Sequence, residues 1–368
     1  MNYLYVIVTC LILNRISAQT IVPLSAKGED NKFIFDSLKN TIGNKRIICL
    51  GESAHRVETF IRFKTELIKY LHDDLGYEVV AFESNLFNVT NGYYNIQSDT
   101  GALKESLYSI WRTASVLDLF RYVKKTKETK KPLILTGFDV KSGLSYSTSA
   151  WLKVIIMSGN SKYAESVFST DTMLINRCAR YEHNLKFIPE TEGANYQAYY
   201  ASLIDSLETY KTGLLNQQVL TEIQFKIIRQ CLQNRINLAK FLCSKDLWAA
   251  NDIRDSIMAQ NILWLVNDLY KDKKIVLWAH NAHISKKTVE HGTFHTKSSV
   301  EMFSEELKNQ VETISLDFVK NAPKRYRVQI ESMPGNAFLI NHPGFMNGAF
   351  EAVILFKETE AIDKYKIN

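Results

Sequence analysis

Hydrophobic positions fall along this chain in two rhythms. Short continuous apolar runs alternate with longer segments in which apolar residues recur every three or four positions. The runs Arg46–Leu50, Glu78–Phe82, Leu133–Leu135 and Ile275–Ala279 are separated by helix-length segments, the pattern of strands buried on both faces of a parallel sheet. Val311–Phe318, Tyr326–Ile330 and Ala352–Phe356 read as further strands. Phe60, Phe63, Leu67, Ile68 and Leu71 predict a crossover helix over about 56–75, closed by Gly76, and Val116, Leu119, Phe120 and Val123 predict another. Between about 145 and 245 the amphipathic stretches Tyr196–Leu215 and Leu220–Phe241 carry no strand signal. That segment reads as a helical lobe inserted between the third and fourth strands, placed to cover the crevice. A helix from Asp252 to about Tyr270 then returns the chain to the sheet at Lys274. The expected fold is α/β: a mostly parallel central sheet flanked by helices, with the inserted lobe over an active-site cleft.

The residues at the end of each run carry the chemistry. The first four runs stop at Gly51-Glu52-Ser53-Ala54-His55, at Glu83, at Thr136-Gly137-Phe138-Asp139 and at His280-Asn281-Ala282-His283. Open parallel sheets bind ligands at the edge made by the carboxyl ends of their strands. The pattern therefore aims Glu52, His55, Glu83, Asp139, His280 and His283 at one crevice.

Acids gathered around histidines suit general acid–base work or metal binding. A histidine held by a carboxylate can take a proton from water and return it to a leaving group. His55, just past the first strand, is the leading base, with Glu52 and Glu83 to orient and polarise it or to position the water. His280 and His283 are candidates for stabilising charge on a carbonyl oxygen. Blander readings stay open: Asp139 or Asn281 could simply tie down turns, and His283 could be structural. His72, His291, His295 and His342 have no such context and are expected on loops or exposed faces.

Composition narrows the field. A formal charge of +6 with no basic stripe interleaved with aromatics gives nucleic-acid binding no support. The run Lys124–Lys131 precedes Pro132 and reads as the cationic end of a helix. Tyr3–Leu13 is apolar but too short to span a bilayer. With small residues after it, it reads as a signal peptide over 1–18, lacking the usual basic n-region and cleaved after Ala18. The remaining 19–368 would form an exported, periplasmic protein without stable membrane insertion. Cys49, Cys178, Cys231 and Cys243 show no metal spacing. Cys49 reads as a small core hydrophobe, and no disulfide can be assigned among the others. There is no Gly-x-Ser-x-Gly elbow, P-loop, dinucleotide fingerprint or His-Glu-x-x-His. Glu52-x-x-His55 and His280-x-x-His283 do have ligand-like spacings. A metal-dependent hydrolase using Glu52, His55, His280 and His283, and an exported metal- or haem-binding protein without turnover, are the competing readings.

At these residues the sequence resembles the erythromycin esterase family. The matching pieces are Leu50–His55, Ala81-Phe82-Glu83, Trp111-Arg112-Thr113, Gly137-Phe138-Asp139, Arg254-Asp255-x-x-Met258-Ala259-x-Asn261 and Ala279–His283. They occur in family order over roughly residues 36 to 357. The resemblance implies metal-independent hydrolysis, without a cofactor, of the lactone ester of 14-membered macrolide antibiotics by water, conferring resistance. It places the catalytic histidine at His55, supported by Glu52 and Glu83. His280 and His283 lie in the AHNAH segment, and Arg254 in the motif before it. His280 joins the catalytic set; Arg254, His283, Asp139 and Lys64 are expected to contact substrate. Lys64 stands where some members carry arginine, and Arg56 replaces a small or apolar residue. Lysine keeps the charge but loses the planar fork.

Overall fold

The computed structural model describes residues 21–24, 32–95, 97–141, 161–288, 297–333, 336–340 and 348–362. The expectations for the leader segment, Cys10, His291, His295, His342 and the first residues of the inserted lobe lie outside these.

The apolar runs pair into one sheet because their backbone groups, buried on both faces, have only one another to bond. The strands are β1 (Ile21–Leu24), β2 (Ile47–Glu52), β3 (Tyr77–Asn85), β4 (Ile134–Asp139), β5 (Lys274–Trp278), β6 (Val311–Phe318), β7 (Ala337–Ile340) and β8 (Ala352–Phe356). Their order is β1-β7-β8-β6-β2-β5-β3-β4. From β8 to β4 every neighbouring pair is parallel; β7 runs antiparallel to both β8 and β1 at the far edge. The mostly parallel α/β expectation is met. Its register brings the carboxyl ends together: Leu50 lies beside Trp278, Trp278 beside Phe82, and Asn85 beside Asp139.

Helices α1 (Lys32–Ile42), α2 (Glu58–Leu75), α3 (Leu86–Asn95), α4 (Asp99–Ser106) and α5 (Ala114–Thr126) belong to the first crossovers. Gly76 ends α2 in the left-handed conformation, φ 71°, its N–H returning to the Leu71 carbonyl, which a residue with a Cβ adopts only with strain. The lobe consists of α6 (Ser161–Asn184), α7 (Glu190–Thr209), α8 (Lys211–Asn216) and α9 (Glu222–Leu242). It has its own apolar core around Leu174, Tyr200, Phe225, Ile228 and Leu232, continued by Phe87 after β3 and Val140 after β4. The lobe is thus seated on the carboxyl ends of β3 and β4. Inside it Arg235 grips Asp171 with two hydrogen bonds, 2.6 and 3.0 Å, and Tyr200 donates to the same carboxylate.

Three local expectations need correction. Tyr326–Ile330 is not a strand but part of α13 (Lys324–Glu331), after the short α11 (Asn281–Ile284) and α12 (Glu305–Lys308). Tyr-Arg-Val-Gln-Ile fits both periods. A strand would bury Val328 with its neighbours, whereas the helix buries Tyr326 and Ile330 and leaves Val328 58% exposed. The helix returning to β5 starts earlier, as α10 (Leu247–Trp264), and continues into a π turn over Leu265–Leu269. The π turn loosens the carbonyl ladder, and the Arg46 guanidinium takes the oxygens of Val266 and Tyr270. His72 is buried in α2, with Nδ1 against the Tyr122 hydroxyl and Nε2 against the Lys131 carbonyl. Among the described residues Cys49, Cys178, Cys231 and Cys243 form no disulfide, and Cys49 packs inside β2.

Candidate active site

β2 delivers Glu52 at its last residue, and the chain then turns sharply. Arg56 sits in the left-handed region, φ 62°, before α2 begins. Its carbonyl accepts from Ile362, while Glu58 donates to the Glu360 carbonyl. The C-terminal segment thus braces the turn that carries His55. Within that turn Glu52 and His55 are three residues apart, and Nδ1 of His55 lies 2.8 Å from Glu52 Oε1. An ionised carboxylate only accepts, so Nδ1 carries the proton and Nε2 is left with its lone pair. Nε2 has no hydrogen-bond partner among the described residues, and the ring is 35% exposed. Glu52 itself is 1% exposed. Its Oε1 also accepts from the Trp111 indole N–H at 2.9 Å, and its Oε2 accepts from Lys64 Nζ at 2.7 Å. Burial alone would push this carboxyl up; the Lys64 ammonium and the His55 imidazole outweigh it and hold it below its ordinary range.

Lys64 does not reach a substrate. It is 0% exposed, donates to Glu52 and to the Ala279 carbonyl at 3.2 Å, and lies over the Trp278 ring. The cation at this position fixes an acid from beneath.

β5 lies between β2 and β3, so His280 sits between the two glutamates. Its ring centroid is 4.9 Å from that of His55. As N-cap of α11, its Nδ1 accepts from the Ala282 N–H at 3.2 Å, which leaves the proton on Nε2, 3.3 Å from the Ser53 carbonyl. Burial and the neighbouring His55 imidazole push its pKa down to about 4, so it is a neutral donor at pH 7. Asn281 lies so closely under β2 that a Cβ on Gly51 would be 2.0 Å from its Oδ1. Asn281 itself donates to Ser315. Gly51 is therefore required by close approach.

Among the described residues Glu83 makes no hydrogen bond to His55, though it feels the charge of that ring. Its Oε2 accepts from the His280 backbone N–H at 2.9 Å, and its Oε1 takes Arg254 at 2.7 Å, with His283 Nε2 at 3.3 Å. Burial would raise its pKa, but His283 and Arg254 hold it far below the usual carboxylate range. Arg254, on α10, also binds Asp139 through Nε (3.1 Å to each oxygen) and Nη2 (2.6 Å). Asp139 is wholly buried and further accepts from the Tyr108 hydroxyl and the Val140 N–H. It is the anchor of Arg254 rather than a substrate contact. His283 donates from Nδ1 to Asp255 at 2.8 Å, and its Nε2 accepts from Arg254 Nη1 at 3.1 Å; Glu83 and Asp255 raise its pKa against burial.

The edge therefore holds two groups: Glu52–His55 with Lys64 and Trp111 at β2, and Glu83–Arg254–Asp139 with His283 and Asp255 at β3 and β4. His280 joins them. Trp111, Tyr108 and Asp255 had no role assigned from sequence, although the Trp-Arg-Thr and Arg-Asp pieces marked two of these positions. The lobe adds Glu182 near the second group, 3.9 Å from Lys141 Nζ, its carboxyl pushed up by burial.

A family model described as erythromycin esterase matches residues 72–323. YbfO of Bacillus subtilis (strain 168), which carries a provisional hydrolase name, is 30% identical over 282 residues, 72% of this chain and 62% of that protein. Erythromycin esterase type II of Escherichia coli is 22% identical over 285 residues, covering 71% and 66%. The chain thus spans just under two thirds of the length of these relatives. A solved mutant of the erythromycin esterase EreC, in its open conformation, superposes with a TM-score of 0.66 at 16% identity, covering 93% of this chain and 98% of that one. At that identity the likeness is one of fold.

Proposed function

The chain belongs to the erythromycin esterase family, and from that premise we propose that it is a carboxylic-ester hydrolase that opens the lactone of 14-membered macrolides by water attack. The observation that carries the reading is the His55–Glu52 pair: an imidazole with Nδ1 tied to a buried carboxylate and its Nε2 lone pair turned to an accessible face. Nε2 takes a proton from water as the water oxygen bonds to the lactone carbonyl carbon. The tetrahedral intermediate then collapses, the ring C–O bond breaks, and the imidazolium returns the proton to the departing alkoxide. The product is the ring-opened hydroxy acid.

Charge favours that sequence. The carboxylates Glu52, Glu83, Asp139 and Asp255 outnumber the buried cations that they face, Lys64 and Arg254. A positive charge arising on His55 is therefore met by an excess of negative charge already fixed in place. The donor for the oxyanion is the neutral Nε2–H of His280, 3.3 Å from the Ser53 carbonyl. Arg254 is engaged with Asp139, Glu83 and, through Nη1, with His283 Nε2, and acts as fixed charge.

The metal-dependent reading is less favoured. Lys64 occupies one oxygen of Glu52, His55 and Trp111 the other, and the two nitrogens of His283 are held by Asp255 and Arg254. Turnover unchanged by thorough chelation would remove that reading.

Export to the periplasm and a role in macrolide resistance belong to the same proposal, resting on the apolar Tyr3–Leu13 segment and on the family. Among the described residues no helix is long and apolar enough to cross a membrane. Erythromycin incubated with the protein should gain the mass of one water. His55→Ala should abolish that gain, and near wild-type turnover in this variant would remove His55 as the base.

A further inference from the structure

We propose that Trp111 is a positioning residue: through the glutamate oxygen that it shares with His55, it fixes the tautomer and orientation of that imidazole and tempers the pull of Glu52 on its ring proton. The inference rests on the reading of His55 as the base.

Two N–H groups converge on Glu52 Oε1, from His55 Nδ1 at 2.8 Å and from the Trp111 indole at 2.9 Å, while Lys64 holds the other oxygen. The carboxylate has almost no exposed surface, so no bulk water competes for these positions. An indole N–H can only donate. Its bond stabilises the carboxylate charge and reduces what remains to stabilise a proton on His55. Donors from two directions also fix where Oε1 lies, and so the plane in which the imidazole can satisfy Nδ1. The indole additionally meets the His55 ring edge-on, 5.7 Å between centroids at 80°. Trp111 is wholly buried, so it acts through Glu52 and His55 and not on substrate.

The loop carrying Trp111 is anchored elsewhere. The Tyr108 N–H donates to Ser84 Oγ at 3.3 Å on β3, and its single hydroxyl proton is shared between Asp139, 2.9 Å away at the end of β4, and the Lys141 carbonyl, 2.8 Å away just beyond it. Arg112 Nε closes the loop on the Leu107 carbonyl, and Thr113 caps α5. Tyr108 and Trp111 stack, 6.2 Å apart. The position of the indole beside β2 is thus inherited from β3 and β4, linking the two groups of the site. Among the described residues the other ionisable groups facing His55 are His280, from β5, and Glu83, from β3. Neither is altered by a change at 111.

The test uses the full chain with ring-nitrogen-labelled histidine, reading His55 by NMR across pH without substrate. Two replacements remove the donor: Trp111→Phe, and benzothienylalanine at 111, in which sulfur replaces the N–H in a ring of the same size. With the donor gone, His55 should titrate higher by about half a pH unit or more, and its tautomer signal should broaden or mix. For erythromycin opening, the acid limb of the kcat profile should move up by the same amount. At neutral pH kcat should fall about tenfold, with KM within about twofold. In a Glu52→Gln background the same replacement should add no further shift. Unchanged His55 signals in either folded variant, or an equal shift in that background, overturn the inference. If Trp111→Phe does not fold, the isosteric analogue decides. A wild-type protein that never opens the lactone sinks the functional reading instead, while the NMR arm still decides the role of Trp111.

Discussion

The two carboxylates that end β2 and β3 are both buried and both ionised, yet they are built for different tasks. Glu52 is held by one cation and two neutral-ring donors, and one of those donors is an imidazole with an open face. Glu83 is held by a guanidinium, a backbone N–H and a second imidazole whose other nitrogen is itself tied to Asp255. Around Glu52 a proton can come and go. Around Glu83 every partner is already committed, and the reward is rigidity: it fixes the start of the His280–His283 segment by a bond to its backbone. One half of the edge is arranged for chemistry and the other as the frame that sets it in place.

The largest expected effect separates the two halves by what they control. His55→Ala should lower erythromycin opening by more than about a thousandfold, in line with loss of a general base acting as a unit with its partner. Denaturant stability should barely move, because a partly exposed ring makes little packing. Arg254→Met should do the reverse in order of cause. It strands Asp139 and Glu83 as buried charges, a loss of about 3–5 kcal/mol in urea unfolding. Conditions that restore the fold should then restore much of the turnover. If Arg254→Met is as stable as the wild type, the frame assignment fails.

The division between the halves could be read only in part from sequence, and the reason is strand order. Continuous apolar runs announce parallel strands buried on both faces, so the four strand ends and their polar residues stood out. Which ends are neighbours is not written locally. β5 arrives about two hundred residues after β3 yet inserts between β2 and β3, so Glu83 bonds His280 and never reaches His55. Glu52-x-x-His55 is a local spacing and was readable. Lys64 faces inward on α2 at a position that the family resemblance marked as a substrate contact, and only the burial of its ammonium shows otherwise. β7 and Tyr326–Ile330 failed for a different reason: four residues, or a five-residue run that satisfies both periods, carry too little pattern to choose a state.

Gly51 tests how tightly the halves are joined. Its Ala variant would press a methyl group onto Asn281, the residue after His280. Overpacking of this kind costs about 1–3 kcal/mol. Because the displaced segment carries the oxyanion donor, kcat should fall further than stability alone explains. A Gly51→Ala protein with full kcat would show that the His280 segment tolerates displacement, and that the frame is looser than its hydrogen bonds indicate.

The smallest effect concerns an acid outside both halves and serves as their contrast. Glu52 and Glu83 are held ionised by cations that outweigh burial, so their contribution to stability is present at neutral pH and lost as pH falls below the ordinary carboxylate range. Glu312, in β6, shows the opposite sign. Burial, reinforced by Glu351, pushes its carboxyl up to about 7, with Lys286 and Lys45 offsetting only part. Its folded pKa lies above the unfolded one, so its ionisation penalises the fold. The penalty begins near the ordinary glutamate pKa, grows as pH rises, and is complete above about 7. Glu312→Gln should therefore match the wild type near pH 4 and exceed it by about 1–3 kcal/mol at pH 8 in urea unfolding. A gap that narrows with rising pH would mean that Lys286 and Lys45 hold the Glu312 charge favourably. Glu312 would then resemble the two site glutamates, and the contrast between a scaffold acid left short of cations and site acids supplied with them would be lost.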